Sequence, residues 1–86
     1  MNAPAEIFEL VDATDDEHYY TLGIFLDEQA ALSWLRHPKP PVNEHDNDAV
    51  ELEVRARKIG FHPHKWRVVA KRAWVREWDD GAPLWK

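Results

Sequence analysis

The sequence predicts an α+β fold, a small antiparallel sheet of three to four strands with one or two helices packed on one face. Three observations predict it. Runs rich in β-branched and aromatic residues recur at 6–12, 18–26 and 66–78. One helix-forming run at 27–37 carries both a start and a stop signal. A length of 86 residues leaves room for a single small domain, taken as 1–86.

The first two runs, Glu6 to Asp12 and His18 to Leu26, flank the polar stretch from Ala13 to Glu17 and read as an antiparallel hairpin. In the second run the period-two rule puts Tyr20, Leu22, Ile24 and Leu26 on one face, the expected core face. Asp27 then has the position of an N-cap, and Glu28 sets a negative charge in the first turn. Ala31, Trp34 and Leu35 form the stripe expected to meet the sheet. Arg36 and His37 suit the last turn, and Pro38 stops the helix. Pro38 to Pro41 is a stiff connector.

The segment 48–59 supports two readings. Val50 to Ala56 alternates as a strand does. Asp48 and Glu51 have capping-box spacing, Glu51/Arg55 and Glu53/Arg57 are i,i+4 pairs, and Gly60 stands where a helical C′ glycine belongs. Because start, stop and side-chain pairs agree, helix is preferred over strand. Phe61 to His64 follows as a loop, and Trp66 to Trp78 reads as a long strand with room for a bulge. If its register never slips, Trp66, Val68, Ala70, Arg72, Trp74, Arg76 and Trp78 share a face. Asp79-Asp80-Gly81 signals a turn, and Leu84 and Trp85 pin down a short tail.

A mean hydropathy of −0.64 and 31 % charged residues argue against a membrane protein. Five tryptophans within a 12 % aromatic content supply the payload a small core needs. No cysteine occurs, which removes disulfides, thiolate metal sites and cysteine nucleophiles, and makes a cytoplasmic location the expectation. The start shows neither a basic n-region nor an apolar h-region.

The net charge of −5 conceals an asymmetry: residues 1–54 hold thirteen acids and two bases, net −11, and residues 55–86 hold nine bases and three acids, net +6. Either one half recruits a charged partner, or the halves fold against each other and their charges interdigitate. The second is the commoner arrangement, because runs of charge are mostly solvated faces.

Catalysis finds little support. Ser33 lies mid-helix, Thr14 and Thr21 have no histidine–carboxylate pattern nearby, and Gly23, Gly60 and Gly81 make no phosphate-cradling loop. His62 and His64 flank a proline near His45, Asp46 and Asp48, but an H-x-H spacing is more often a polar turn than a metal site. The acids at Asp12, Asp15, Asp16 and Glu17 lack the spacing, glycine and closing glutamate of a calcium loop. No catalytic residue, metal or cofactor is therefore expected.

Two binding constellations remain. The strip Trp66, Arg67, Lys71, Arg72, Trp74, Arg76 and Trp78 interleaves rings with cations, as interface hot spots and single-stranded nucleic-acid sites both do. The acids Asp15, Asp16 and Glu17 form a patch able to meet a partner's cationic surface. The plainer alternative is that the rings are core and the cations cover their flanks with aliphatic stems.

Gly23-Ile24-Phe25-Leu26-Asp27-Glu28-Gln29-Ala30, with Gly60-Phe61 and Trp66-Arg67-Val68 further on, resembles a family of small bacterial and phage proteins of unknown function. In that family a hairpin ends in G-hydrophobic-F, an acidic helix start follows, and a G-F step leads to the last strand. Here Pro38 to Ile59 is an additional insertion. The resemblance implies a strand-strand-helix-strand order and a small accessory role, with no catalytic residues to carry over. The function expected is non-enzymatic protein binding, as a phage or prophage accessory protein or inhibitor of a host complex. The alternative is a nucleic-acid-binding module. The expected partner is a protein, with nucleic acid or a homodimer as the other choices, and no membrane.

Overall fold

The computed structural model describes residues 6–60 and 65–86. The loop bearing His62 and His64, and the Gly60-Phe61 step beyond Gly60, lie outside the described residues. Five antiparallel strands form one sheet: β1 (Glu6–Asp15), β2 (His18–Phe25), β3 (Ala49–Lys58), β4 (Arg67–Asp79) and β5 (Ala82–Trp85), in the order β2-β1-β3-β4-β5. One short helix, α1 (Glu28–Ser33), runs into a 3₁₀ turn at Trp34–Arg36. The fold is thus mostly sheet, with more strands than the three or four expected.

The hairpin of β1 and β2 forms where expected, with β1 reaching three residues further, to Asp15. The face expected for β2 does not hold. Leu10 pairs with Gly23 and Val11 with Thr21, so Leu22 is an extra, bulged residue that inverts the alternation. Leu22 and Phe25 pack on the core, while Tyr20, Ile24 and Leu26 are more than half exposed.

Asp27 caps α1: its carboxylate accepts from the Ala30 N–H at 3.1 Å. His37 turns extended (φ −67°, ψ 142°), as a residue before proline must, and that ends the helical segment. Ala31 and Leu35 enter the core, but Trp34 does not. Its ring stacks on His37 at 5.4 Å between centroids, on the solvent side of the segment.

Residues 49–58 are strand, correcting the helix reading of 48–59. The physical reason is burial. As a central strand between β1 and β4, this segment sends Val50, Leu52, Val54 and Ala56 to one face, each 2 % exposed or less. A helix would divide those four over two sides. The charges that suggested i,i+4 pairs use strand geometry instead, with Arg55 Nε donating to Glu53 Oε2 at 2.9 Å.

β4 is bulged. Val54 pairs with Ala70 and Arg55 with Val68, so Val69 is the extra residue. Its C-terminal part pairs with β5, making a strand of the expected tail, through Asp80 (φ 52°) and Gly81 (φ 82°). Two central residues at positive φ define the type I′ hairpin turn that the Asp-Gly pair signalled. The main core gathers Phe8, Leu10, Ala31, Leu35, Trp74 and the four β3 residues between helix and sheet.

Candidate interaction surface

The helical segment covers one face of the sheet and leaves the other open. The strand registers place Glu9, Val11 and Ala13 of β1, and Glu51, Glu53, Arg55 and Arg57 of β3, on the open side. Val11 and Ala13 are buried there although no helix lies over them, so neighbouring side chains supply their cover. The Arg55 guanidinium lies between two rings, 4.7 Å from the Tyr19 centroid and 4.0 Å from that of Trp66. It also pairs with Glu53. Arg57 pairs with Glu9, which accepts a further, long hydrogen bond from Thr21 Oγ1 at 3.4 Å. The middle of the open face is therefore a charged and aromatic cover.

Its β4 side is apolar. Trp66 and Val68 are 45 % exposed and Val75 is 50 % exposed. Leu84, paired with Glu77 and so on the same side, is 47 % exposed. Lys71 and Ala73 lie between them on the same face.

The bulge at Val69 divides the predicted strip. Before it, Trp66 and Val68 belong to the open face; after it, Arg72, Trp74, Arg76 and Trp78 belong to the helix side. Trp74 has no exposed surface, so the expectation that it contacts a partner is corrected: it is core, with its Nε1–H donating to the His37 carbonyl at 2.9 Å. Arg72 sits 4.6 Å from the Trp74 ring and donates to the carbonyls of Leu35 (2.8 Å) and His37 (2.9 Å), closing the C-terminal end of the helical segment.

Arg76 is equally committed. It donates to Asp46 Oδ1 at 2.6 Å and Asp48 Oδ1 at 2.8 Å, and lies 5.1 and 5.2 Å from the Trp78 and Trp85 rings. Hydrogen bonds from Asp46 first, then Asp48, raise its pKa above the usual arginine value. Trp78, 59 % exposed, stands on the β4–β5 hairpin. Arg67 makes a long contact of 3.4 Å with Glu6 and lines a cleft of about 360 Å³ with Lys58, Lys65 and Trp66.

Asp15, Asp16 and Glu17 are exposed at the β1–β2 turn, where Asp15 Oδ1 accepts from the Glu17 N–H at 2.9 Å. They border an open groove with Tyr20 and His45, at the opposite end of β1 from Glu6 and the Trp66 cleft. The structure thus does not bring the whole basic strip together, and it sets Trp66 and Arg67 at the end of the sheet away from the acidic patch. Among the described residues no group of His, Asp and Glu is arranged to hold a metal ion, and no helix is long and apolar enough to cross a membrane.

Sequence reasoning named none of Tyr19, Arg55, Val68, Val75 and Leu84 as binding residues, although the period-two rule sets Tyr19 opposite the expected core face of β2 and the strand alternative for 48–59 sets Arg55 opposite Val54 and Ala56.

Fold and surface together define a small antiparallel-sheet domain with one covered face and one open face. Compared with known proteins, the chain matches no family model, no curated protein and no solved structure.

Proposed function

We propose that the chain is a non-enzymatic protein-binding domain that docks through the β4–β5 side of its open sheet face. The observation that carries this reading is the line of Trp66, Val68, Val75 and Leu84, each about half exposed on a face that no helix covers. Half-exposed apolar side chains gathered on one sheet face mark interaction sites more often than exposed residues scattered singly do. Lys71, on the same face between Val68 and Val75, adds a polar contact. A domain of this size acts by covering a partner's surface without chemistry. That is the action a phage or prophage accessory protein or inhibitor of a host complex would exert.

The test is capture from lysate with three forms of the protein: wild type, a Val68→Asp/Val75→Asp double variant, and a Leu26→Ser/Trp34→Ser variant altered away from the open face. The expected outcome is a partner held by wild type and by the Leu26/Trp34 variant but lost from the Val68/Val75 variant. Equal retention by all three, or capture of nothing specific, sinks the reading.

The cleft of Trp66, Lys58, Lys65 and Arg67 favours a second reading, a nucleic-acid-binding module in which a base stacks near the indole and phosphates meet the cations. It is the weaker one. Arg72 and Arg76 are bound to backbone carbonyls and carboxylates, and Trp74 is inside the protein.

A further inference from the structure

The outer edge of β4 is only partly paired. β5 pairs along Arg76 to Asp79, and Lys86 exchanges both backbone hydrogen bonds with Val75, at 3.0 and 2.9 Å. From Arg67 to Trp74, no strand among the described residues lies on that side.

Backbone alternation says which groups this edge offers. In an antiparallel strand a residue that exchanges both hydrogen bonds with one neighbour is followed, two residues on, by another that points the same way. Val75 bonds to Lys86, on the β5 side. Arg76 N–H bonds to the Asp48 carbonyl at 2.7 Å, on the β3 side. Even-numbered Trp74 and Arg72 thus face β3, and odd-numbered Ala73 and Lys71 direct N–H and C=O outward. Both outward residues are exposed.

We infer that the β4 edge from Arg67 to Trp74 is a strand-addition site that takes an extended acidic segment of a partner protein as a further strand, end to end with β5. This inference rests on the reading of the β4 side as a docking surface. Charge selects the occupant. An added strand passes the exposed Lys71 on the open face, so acidic side chains on that face of the strand meet a cation. A second copy of β4 paired antiparallel about its middle brings Lys71 near its own symmetry mate, which like-charge repulsion disfavours.

The experiment uses a synthetic peptide of alternating glutamate and valine, about ten residues long so that it spans the edge. A peptide with lysine in place of glutamate is the control. Amide exchange of the protein is followed residue by residue with each. The expected result is slowed exchange at Lys71 and Ala73 with the acidic peptide alone, and no change at Arg72 and Trp74, whose amides already bond to β3. K71E should weaken the acidic peptide by about tenfold, by setting like charges side by side. A73P, which removes an outward N–H and leaves the Lys71 charge in place, should abolish binding. Absence of protection at Lys71 and Ala73, or equal binding of both peptides, overturns the inference. Retention of the lysate partner's dependence on Val68 and Val75 in that case leaves the docking surface standing.

Discussion

Trp74 joins two parts of the fold that the chain separates by 37 positions: its ring fills the core against β3, and its indole N–H donates to the His37 carbonyl at 2.9 Å. Trp74→Ala removes both and should cost about 3–5 kcal/mol, the range for deleting a large buried aromatic. Trp74→Phe keeps most of the ring and loses the hydrogen bond, so a smaller loss is expected, near 1–2 kcal/mol. Urea unfolding of the two variants checks this, and a Trp74→Ala protein as stable as the wild type defeats the account. Arg72 still donates to the same carbonyl, so the His37 end of the helical segment is not left bare. At this scale the sequence showed five tryptophans and their crowding toward the C-terminal part, but not which were core. Trp34 sits beside a good core pair and is nonetheless outside, because a short helix turns only Ala31 and Leu35 inward. Trp74 sits among arginines and is wholly inside, because those arginines find carbonyls and carboxylates to bind.

Elements were legible where a local signal ends them. The Asp27 cap, the Pro38 stop and the Asp-Gly turn each act within a few residues, and each appears in the structure. The turn is the easiest to test. Gly81 has φ 82°, and a Cβ added there meets nothing within 4 Å, so the cost of Gly81→Ala is backbone strain alone. About 1 kcal/mol is expected from the left-handed conformation. It should fall on the β4–β5 hairpin, where faster amide exchange at Val75 and Lys86 would record fraying; unchanged exchange at that pair counts against the assignment. What the sequence hid was where the bulges fall: it allowed one in the long last strand without placing it, and gave no sign of the one in β2. An extra residue at Leu22 or Val69 has no compositional signature, yet each inverts the alternation of everything beyond it. One slip cost the expected core face of β2, and the other divided the basic strip between two faces. Strand β3 was hidden differently: its glutamates and arginines make acceptable i,i+4 pairs on a helix and i,i+2 pairs on a strand. Only the sheet on either side decides between them.

Across the whole molecule the charge asymmetry of −11 and +6 resolves in part into pairs between the two halves. Arg57 meets Glu9, Arg67 meets Glu6, Arg55 meets Glu53, and Arg76 meets Asp46 and Asp48. Antiparallel pairing of β1 with β3 and of β3 with β4 sets acidic strands beside basic ones, so these four arginines already face carboxylates of the acidic half. The exposed Arg67–Glu6 pair contributes little to stability, about 0–1 kcal/mol. The consequence of the pairing is for partners. Phosphate binding draws its affinity from cations that release counterions, and an arginine already held by a carboxylate has less to offer. The cleft at Trp66 is lined by Lys58 and Lys65, whereas Asp15, Asp16 and Glu17 at the far end of β1 repel a polyanion. Single-stranded oligonucleotide should therefore give no retardation in a gel-shift series, even near 50 mM salt where phosphate contacts are strongest. Retardation at that salt, fading steeply as salt rises and abolished by Trp66→Ala, would reverse the order of the two proposed functions. Retardation that survives Trp66→Ala would assign the binding to diffuse charge, leaving the open face along β4 as the docking surface for a protein.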